Sequence, residues 1–351
     1  METEIEKLQA VLQNDPSNFQ ARRELSILLA NEGFNEEALS NLKYLEKYFP
    51  KDAEIQYNLG ILYEELKDLD NAKISYEKAI EISPQNDFYY NLGEVLVSLE
   101  NWDYAIESFK KVIETESSDG NCYFNLGLCY YNKEESKLAI DNFQKAIELN
   151  PNDIYAYFYL GCLYQNEGLT NFAEENYKKV LNISPDYSWA YYNLAAIAFK
   201  NNNIDNAKNY LLKTIEFNNY DIEAYKLLAK IFIKQEEVEE AISFFETRLN
   251  KEENGDLFYI LSQIYKHVGY KDEYIKNLQN AVKNNLTLSY PIEILKQELS
   301  INNSKEDLPI ENILEYSEDD DEIEENDDLD DDLDENIDDI DEDEYENVDE
   351  N

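Results

Sequence analysis

Four asparagines recur in nearly the same short phrase and suggest a chemistry of recognition. Asn58, Asn91, Asn125 and Asn193 each stand directly before Leu-Gly or Leu-Ala. A carboxamide carries both a hydrogen-bond donor and an acceptor, so a row of them can pair with a peptide backbone without reading its side chains. The row is interrupted, because Tyr159 and Leu227 occupy the equivalent places.

Aromatic residues accompany these asparagines. Large aromatic side chains make rigid, amphipathic contacts that often dominate the energy of binding. An alternative is that about half of them pack between neighbouring helices instead. The candidates for binding are Tyr57, Tyr90, Phe124, Phe158, Trp189 and Tyr192.

Three lysines form a cationic stripe nearer the C-terminus. Lys226, Lys230 and Lys234 recur every four residues, a spacing that places them on one face of a helix. Such a stripe is often only a solvated face. It also fits a site for an acidic segment, which includes the acidic C-terminal part of this chain.

Catalytic and metal-binding patterns are missing from the sequence. The chain has one histidine, His267. Its three cysteines, Cys122, Cys129 and Cys162, form no Cys-x-x-Cys motif. It contains no phosphate-binding glycine motif and no dinucleotide fingerprint. We therefore expect no enzyme activity, no cofactor and no metal site, and we expect the cysteines to be reduced packing residues.

The elements that position these residues repeat with a period close to 34. Pro16, Pro50, Pro84, Pro151 and Pro185 lie 34, 34, 67 and 34 positions apart. A fixed period of this length indicates stacked supersecondary units. The units begin at Phe19, Ala53, Asn86, Gly120, Ile154, Ser188, Ile222 and Gly255.

Each unit has the apolar spacing of two short helices. In the unit from Gly120 the first helix carries Leu126, Gly127 and Tyr130, and the second carries Ala139, Phe143 and Ala146 before Pro151. The small residues allow the two helices to approach closely, and proline ends the second helix because it has no N–H to donate.

This pattern resembles the tetratricopeptide repeat, whose signature is Leu-Gly-x-x-Tyr followed by Ala-x-x-x-Phe-x-x-Ala and Pro. The resemblance implies an all-α fold, a right-handed α-solenoid of about eight helix-turn-helix units whose first helices line a concave groove. It also implies that the asparagines and aromatic residues lie at or beside the lining positions. Asn is common at this position of the repeat, so a purely structural use of the row remains open.

The flanks predict four regions. Residues 1–18 read as an N-terminal capping helix, 19–288 as the solenoid, 289–301 as a C-terminal capping helix and 302–351 as an acidic, disordered tail. The terminal helices would cover the apolar ends of the stack.

Charge narrows the classes of partner. The formal net charge is -47, and 27 of the 77 acidic residues lie between 306 and 351, where no Lys or Arg occurs. The rest of the chain is also net acidic, which disfavours nucleic acid and favours basic proteins or peptides. Since no secretory signal and no membrane-spanning apolar run are apparent, we expect a cytoplasmic protein that is not bound to membranes.

Two functional hypotheses follow. The first is a scaffold that binds a peptide segment of a partner protein in the groove, through the asparagines, the aromatic residues and Lys226, Lys230 and Lys234. The second makes the tail a chaperone or decoy for basic proteins, and a variant of it lets the tail occupy the lysine-rich repeats and inhibit the groove.

Overall fold

The computed structural model describes residues 3–116 and 118–303. These residues divide into two compact units, one within Met1–Pro185 and the other within Asp186–Asn351. In the described residues every regular element is helical, and nearly all are α-helices of 11 to 14 residues. The predicted fold class is confirmed in this respect: the chain is all-α and is built from helical hairpins.

The unit Met1–Pro185 consists of a single helix followed by five hairpins. Its helices are α1 Glu4–Asn14, α2 Phe19–Asn31, α3 Asn35–Tyr48, α4 Ala53–Glu65, α5 Leu69–Ile82, α6 Asn86–Ser98, α7 Trp102–Thr115, α8 Gly120–Asn132, α9 Ser136–Leu149, α10 Ile154–Asn166 and α11 Thr170–Ile183.

The unit Asp186–Asn351 consists of three hairpins and a closing helix. Its helices are α12 Ser188–Lys200, α13 Ile204–Phe217, α14 Ile222–Lys234, α15 Val238–Leu249, α16 Gly255–His267, α17 Lys271–Lys283, a 3-10 turn at Asn285–Thr287 and α18 Ile292–Asn303.

Acidic and amide side chains cap the N-termini of most of the first helices of the hairpins. The carboxylates of Asp119 and Asp153 accept hydrogen bonds from the backbone N–H groups of Cys122 and Ala156, at 3.1 and 2.9 Å. Such caps satisfy N–H groups that have no partner within the helix. The same cap is made by Asn18, Asp52, Asp221 and Asn254.

Each hairpin turn contains one residue with positive φ. Gly33, Gly168 and Gly269 fill this position in three hairpins. In the other five a residue with a side chain adopts the left-handed conformation: Lys67, Glu100, Glu134, Asn202 and Glu236. The left-handed residue helps to reverse the direction of the chain, and the second helix begins two residues after it.

Glycine allows the two helices of a hairpin to come together. A Cβ added at Gly127 would lie 2.6 Å from a ring carbon of Phe143, and one added at Gly93 would lie 2.6 Å from Phe109. Both rings are fully buried. The small residue on the first helix is therefore matched to an aromatic ring on the second, and not only to the alanine that the sequence pattern emphasised.

The cores of both units are apolar, and the core of the unit Met1–Pro185 contains the predicted packing cysteines. Cys122 and Cys129 have none of their surface exposed, and all three cysteines are free thiols. Burial raises the pKa of the Cys129 thiol to about 12. Cys129 is therefore held in its uncharged form, which suits a packing residue.

The predicted boundaries of the four regions stay a prediction. The helix α1 lies within 1–18, and α18 extends to Asn303, beyond the predicted end of the capping helix at 301. The tail and its predicted disorder lie outside the described residues.

Candidate peptide-binding face

Two of the predicted asparagines join consecutive hairpins of the unit Met1–Pro185. The side-chain amide of Asn91 on α6 donates to the hydroxyl of Tyr57 on α4 at 3.2 Å and lies 3.5 Å from that of Tyr76 on α5. One hairpin further on, the amide of Asn125 donates to the hydroxyl of Tyr90 at 3.3 Å. These amides already have partners within the protein, which supports the structural use of the row.

Asn58 differs from them. It is half-buried on α4, and its side chain makes no hydrogen bond to any residue of 3–116 or 118–303. Its carboxamide is therefore available to a ligand. It is the asparagine of this unit that best fits the predicted contact with a peptide backbone.

A carboxylate that the sequence analysis missed lies among the same residues. Glu94 on α6 is half-buried, and burial raises its pKa to about 7. The negative charges of Glu64 and Asp119 add to the rise, while hydrogen bonds with Tyr90 and Asn125 oppose it. No cation in the described residues forms an ion pair with Glu94.

Glu94 could have been found from the repeat itself. It directly follows Leu92-Gly93. The other hairpins of Met1–Pro185 that share this glycine have an apolar or weakly polar residue after it: Ile61, Leu128 and Cys162. A carboxylate at a repeat position that is otherwise apolar or weakly polar is a signal in the sequence. A search confined to asparagines and aromatic residues does not detect it.

Half-buried aromatic rings form a column beside these polar groups. Tyr57, Tyr90 and Phe124 occupy the same position of three successive first helices. Each ring packs on the buried aromatic ring of its own hairpin, with centroid distances of 5.7, 5.8 and 5.6 Å. One side of each ring is thus fixed by the core while part of its surface stays open.

Two predicted binding residues do not lie on such a face. Phe158 has none of its surface exposed and packs 5.8 Å from the ring of Tyr177. Tyr192 is 8% exposed and belongs to the apolar core of the second unit. Helix periodicity placed both with the exposed aromatic residues, but packing against neighbouring helices encloses them.

The interruption of the asparagine row has a structural cause. Tyr159, at the place of the asparagine, is buried and stacks on Phe143 with a centroid distance of 5.3 Å and an interplanar angle of 6°. It also meets Tyr131 edge to face at 5.1 Å. Aromatic packing replaces the amide contact in this hairpin.

In the unit Asp186–Asn351, the predicted residues Asn193 and Trp189 contact each other. The amide of Asn193 donates to the backbone carbonyl of Trp189, one turn earlier on α12, at 2.9 Å. Both residues are half-buried. This asparagine therefore bonds within its own helix and does not bridge to another hairpin.

The lysine stripe lies on α14 and is partly compensated. Lys226 forms an ion pair with Glu223 at 2.5 Å, and the ammonium of Lys234 lies 5.0 Å from the ring centroid of Phe199. Lys230 forms no ion pair with a described residue. The proposed contact of the stripe with the acidic tail involves residues beyond 303, outside the part that the structure describes.

Two further observations concern the described residues alone. They contain no group of three or more His, Cys, Asp or Glu side chains that could hold a metal ion. None of their helices combines the length and the apolar character needed to cross a membrane.

Comparison with known protein families identifies the repeat. Five family models, each described as a tetratricopeptide repeat, match at 53–86 and 87–119, 120–153, 142–174, 167–231 and 224–257. Together they cover residues 53–257 without a gap. The chain belongs to the tetratricopeptide-repeat family, as the resemblance implied.

Solved structures are similar to the chain over about half of its length or more. The protein pilF of Pseudomonas aeruginosa is 18% identical, with a TM-score of 0.51 over 60% of this chain and 96% of that one. MamA residues 41 to the end from Desulfovibrio magneticus RS-1 is 26% identical, with a TM-score of 0.47 over 49% and 97%. YrrB, titled a TPR protein with an unusual peptide-binding site, is 24% identical, with a TM-score of 0.48 over 53% and 96%. No curated protein matches the chain significantly.

Family membership settles the general class. Proteins built from this repeat are generally scaffolds for protein–protein interaction without catalytic activity, and the fold of this chain is that of such a scaffold.

Proposed function

We propose that the chain binds a basic peptide segment of a partner protein along a first-helix face of the unit Met1–Pro185. We define this face by Tyr57, Asn58, Tyr90, Glu94 and Phe124. The observation that carries the proposal is Glu94, a half-buried carboxylate without an ion-pair partner in the described residues.

A lysine or arginine of a ligand would stabilise the charged form of the Glu94 carboxylate. Burying a carboxylate without a cation costs free energy, which its raised pKa reflects. A ligand cation would restore the charged form and gain a charge-assisted hydrogen bond. The neighbouring faces of Tyr57 and Tyr90 would add cation–π attraction.

Asn58 supports the peptide nature of the ligand. Its open carboxamide can donate to a backbone carbonyl and accept from a backbone N–H. The rings of Tyr57 and Phe124 supply apolar contact area that is already ordered by packing on Tyr76 and Phe143. Ordering before binding lowers the entropic cost of association.

Selection from a display library of random 12-residue peptides tests the proposal. The full chain serves as bait, and the recovered peptides are then measured against Glu94→Gln and against Glu81→Gln, an exposed carboxylate on α5. We expect peptides rich in Lys or Arg that bind Glu94→Gln about tenfold more weakly and bind the control as they bind the wild type. Neutral or acidic peptides, or equal binding to both variants, would contradict the proposal.

The Lys226, Lys230 and Lys234 stripe enters the proposal only in a minor way. Since Lys226 is ion-paired with Glu223 and Lys234 packs on the ring of Phe199, the stripe offers fewer cations to a ligand than its sequence suggests. We retain it, with Trp189 and Asn193, as a separate candidate contact for an acidic segment.

A further inference from the structure

A second surface with the period of the repeat lies on the second helices of the unit Met1–Pro185. The third residues of α7, α9 and α11 are Tyr104, Leu138 and Phe172, spaced 34 residues apart. Their exposed fractions are 63%, 40% and 55%. We call these three residues the apolar row.

Hairpin packing does not require apolar residues in this row. Each member directly precedes the fully buried alanine of its helix, and the same position on α3 and α5 is taken by Glu37 and Asn71, which are also exposed. Polar residues therefore serve equally well there. Three neighbouring hairpins instead present large apolar side chains, and such exposed patches usually mark interaction sites.

An acidic row runs beside it. Glu107, Asp141 and Glu175 lie three residues after the members of the apolar row, on the same helix faces, and are exposed. In the described part of the chain none of the three forms an ion pair. At the same position α3 has Ser40 and α5 has Ile74, so the acidic row accompanies the apolar row only.

Lysines on these helices form ion pairs with carboxylates outside the acidic row. On each of these helices a lysine is paired with a different carboxylate one turn away. The pairs are Lys111 with Glu114 at 3.0 Å, Lys145 with Glu148 at 2.7 Å and Lys178 with Glu174 at 2.6 Å. The face therefore combines an apolar strip with a strip of exposed carboxylates that form no ion pair in the described residues, although Lys111 attracts Glu107 at longer range.

We propose that this second-helix face binds an amphipathic segment of another protein that carries apolar residues beside Lys or Arg. Charge complementarity selects this occupant: apolar side chains cover the apolar row while cations meet the acidic row. A second copy of the chain is disfavoured, because its net charge of -47 would place like charges together.

The surface is separate from the first-helix face and takes a different part of a partner. Tyr104 and Phe172 resemble the aromatic anchors that dominate many interfaces, and the ring of Phe172 is steadied by Tyr164 at 5.5 Å. The two faces lie on alternate helices and share the hairpins α6–α7 and α8–α9, so one partner can occupy both or two partners can bind at once.

Binding of synthetic peptides to the full chain tests the inference. The probe is an 18-residue peptide of leucine and lysine in helical period, with a benzophenone at its centre, compared with a scrambled peptide of equal composition. Fluorescence anisotropy gives the affinity, and mass spectrometry of the photo-cross-links gives the position. We expect cross-links in the first turns of α7, α9 and α11 and weaker binding of the scrambled peptide.

Variants make the test specific. One combines Tyr104→Ser, Leu138→Ser and Phe172→Ser, and another combines Glu107→Gln, Asp141→Asn and Glu175→Gln. The control for charge removes the exposed carboxylates of Glu36, Glu77 and Glu81. We expect each row variant to weaken binding at least about tenfold and the charge control to weaken it less than about twofold.

Three outcomes would overturn the inference. They are cross-links confined to the first-helix face or to residues 304–351, equal affinity of the wild type and both row variants, and failure of the wild type to bind the helical peptide. Cross-links to α7, α9 and α11 should persist in Glu94→Gln, whatever happens to cross-links on the first-helix face, so failure here is distinguishable from failure of the proposal for that face.

Discussion

At the residue scale, asparagines at the same position of successive repeats make different contacts. Asn91 and Asn125 bind tyrosine hydroxyls of the preceding hairpin, whereas Asn58 keeps its carboxamide open. A phrase that barely changes along the sequence thus contains both a structural contact and a candidate ligand contact. The difference depends on which residue the preceding hairpin supplies.

Alanine substitutions separate these tasks. We expect Asn91→Ala and Asn125→Ala each to lower the free energy of unfolding by about 1 kcal/mol, because each removes a hydrogen bond to a partly buried tyrosine hydroxyl. Asn58→Ala should leave stability unchanged and weaken the binding of selected peptides. Urea denaturation and anisotropy measure the two effects, and a loss of stability in Asn58→Ala would show that its side chain has a structural partner.

Glu94 predicts a pH dependence of stability. Its pKa of about 7 in the folded protein lies above its ordinary value of 4.5, so the folded state binds the proton more tightly than the unfolded state does. The resulting stabilisation is present below pH 4.5 and is lost as the pH rises through 7. The groups that face Glu94 are Glu64, Tyr90, Asp119 and Asn125.

The variant Glu94→Gln isolates this contribution. Between pH 5 and pH 8 the free energy of unfolding should fall in the wild type by on the order of 2–3 kcal/mol more than in Glu94→Gln. Denaturation at a series of pH values measures the difference, in which the contributions of other groups cancel. Parallel profiles would mean that Glu94 titrates near its ordinary pKa.

At the element scale, the hairpin turns hold removable strain. Glu100 and Glu134 have φ values of 55° and 57°, a conformation that costs a residue with a side chain about 1 kcal/mol or more relative to glycine. Three other turns of the chain already use glycine there. The turns are therefore places where sequence and backbone are imperfectly matched.

Glycine in these turns should stabilise the chain. We expect Glu100→Gly and Glu134→Gly each to raise the free energy of unfolding by about 0.5–1 kcal/mol. The reverse change, Gly168→Ala, should lower the free energy of unfolding because φ is 73° there. An added Cβ would meet no atom within 4 Å, so the loss would come from the backbone conformation and not from a steric clash. Thermal and urea denaturation measure both, and a destabilised Glu134→Gly would show that the glutamate side chain contributes more than its conformation costs.

The elements themselves were largely predictable from sequence. The eight first helices begin at the residues where the predicted units begin, because the spacing of glycine, aromatic residues and proline marks each hairpin directly. Which side chains reach the surface was less predictable. Phe158 and Phe124 occupy the same position of adjacent first helices, yet one is fully buried and the other is partly open. That difference depends on packing between hairpins, which the period of one hairpin does not contain.

At the scale of the whole molecule, negative charge dominates. The first-helix face that we propose and the tail hypothesis drawn from the sequence both lead to basic partners. They differ in which part of the chain is needed. The first-helix face places a specific carboxylate among aromatic rings, whereas the tail offers many equivalent charges.

Shortening the chain after Asn303 distinguishes these hypotheses. We expect the selected peptides to retain their affinity for residues 1–303, because Glu94 and the aromatic column remain. Raising the salt concentration from about 0.05 to about 0.5 M should weaken this binding only in part, since contacts with aromatic rings and partly buried groups are screened less than exposed charges. Loss of binding on truncation would make the tail the receptor.

The central claim is tested most directly by a crystal structure of the chain with a selected peptide. The account predicts a lysine or arginine of the peptide within ion-pair distance of Glu94, between the rings of Tyr57 and Tyr90, with Asn58 bonded to the peptide backbone. A peptide that lies elsewhere and leaves Glu94 without a cation would contradict it.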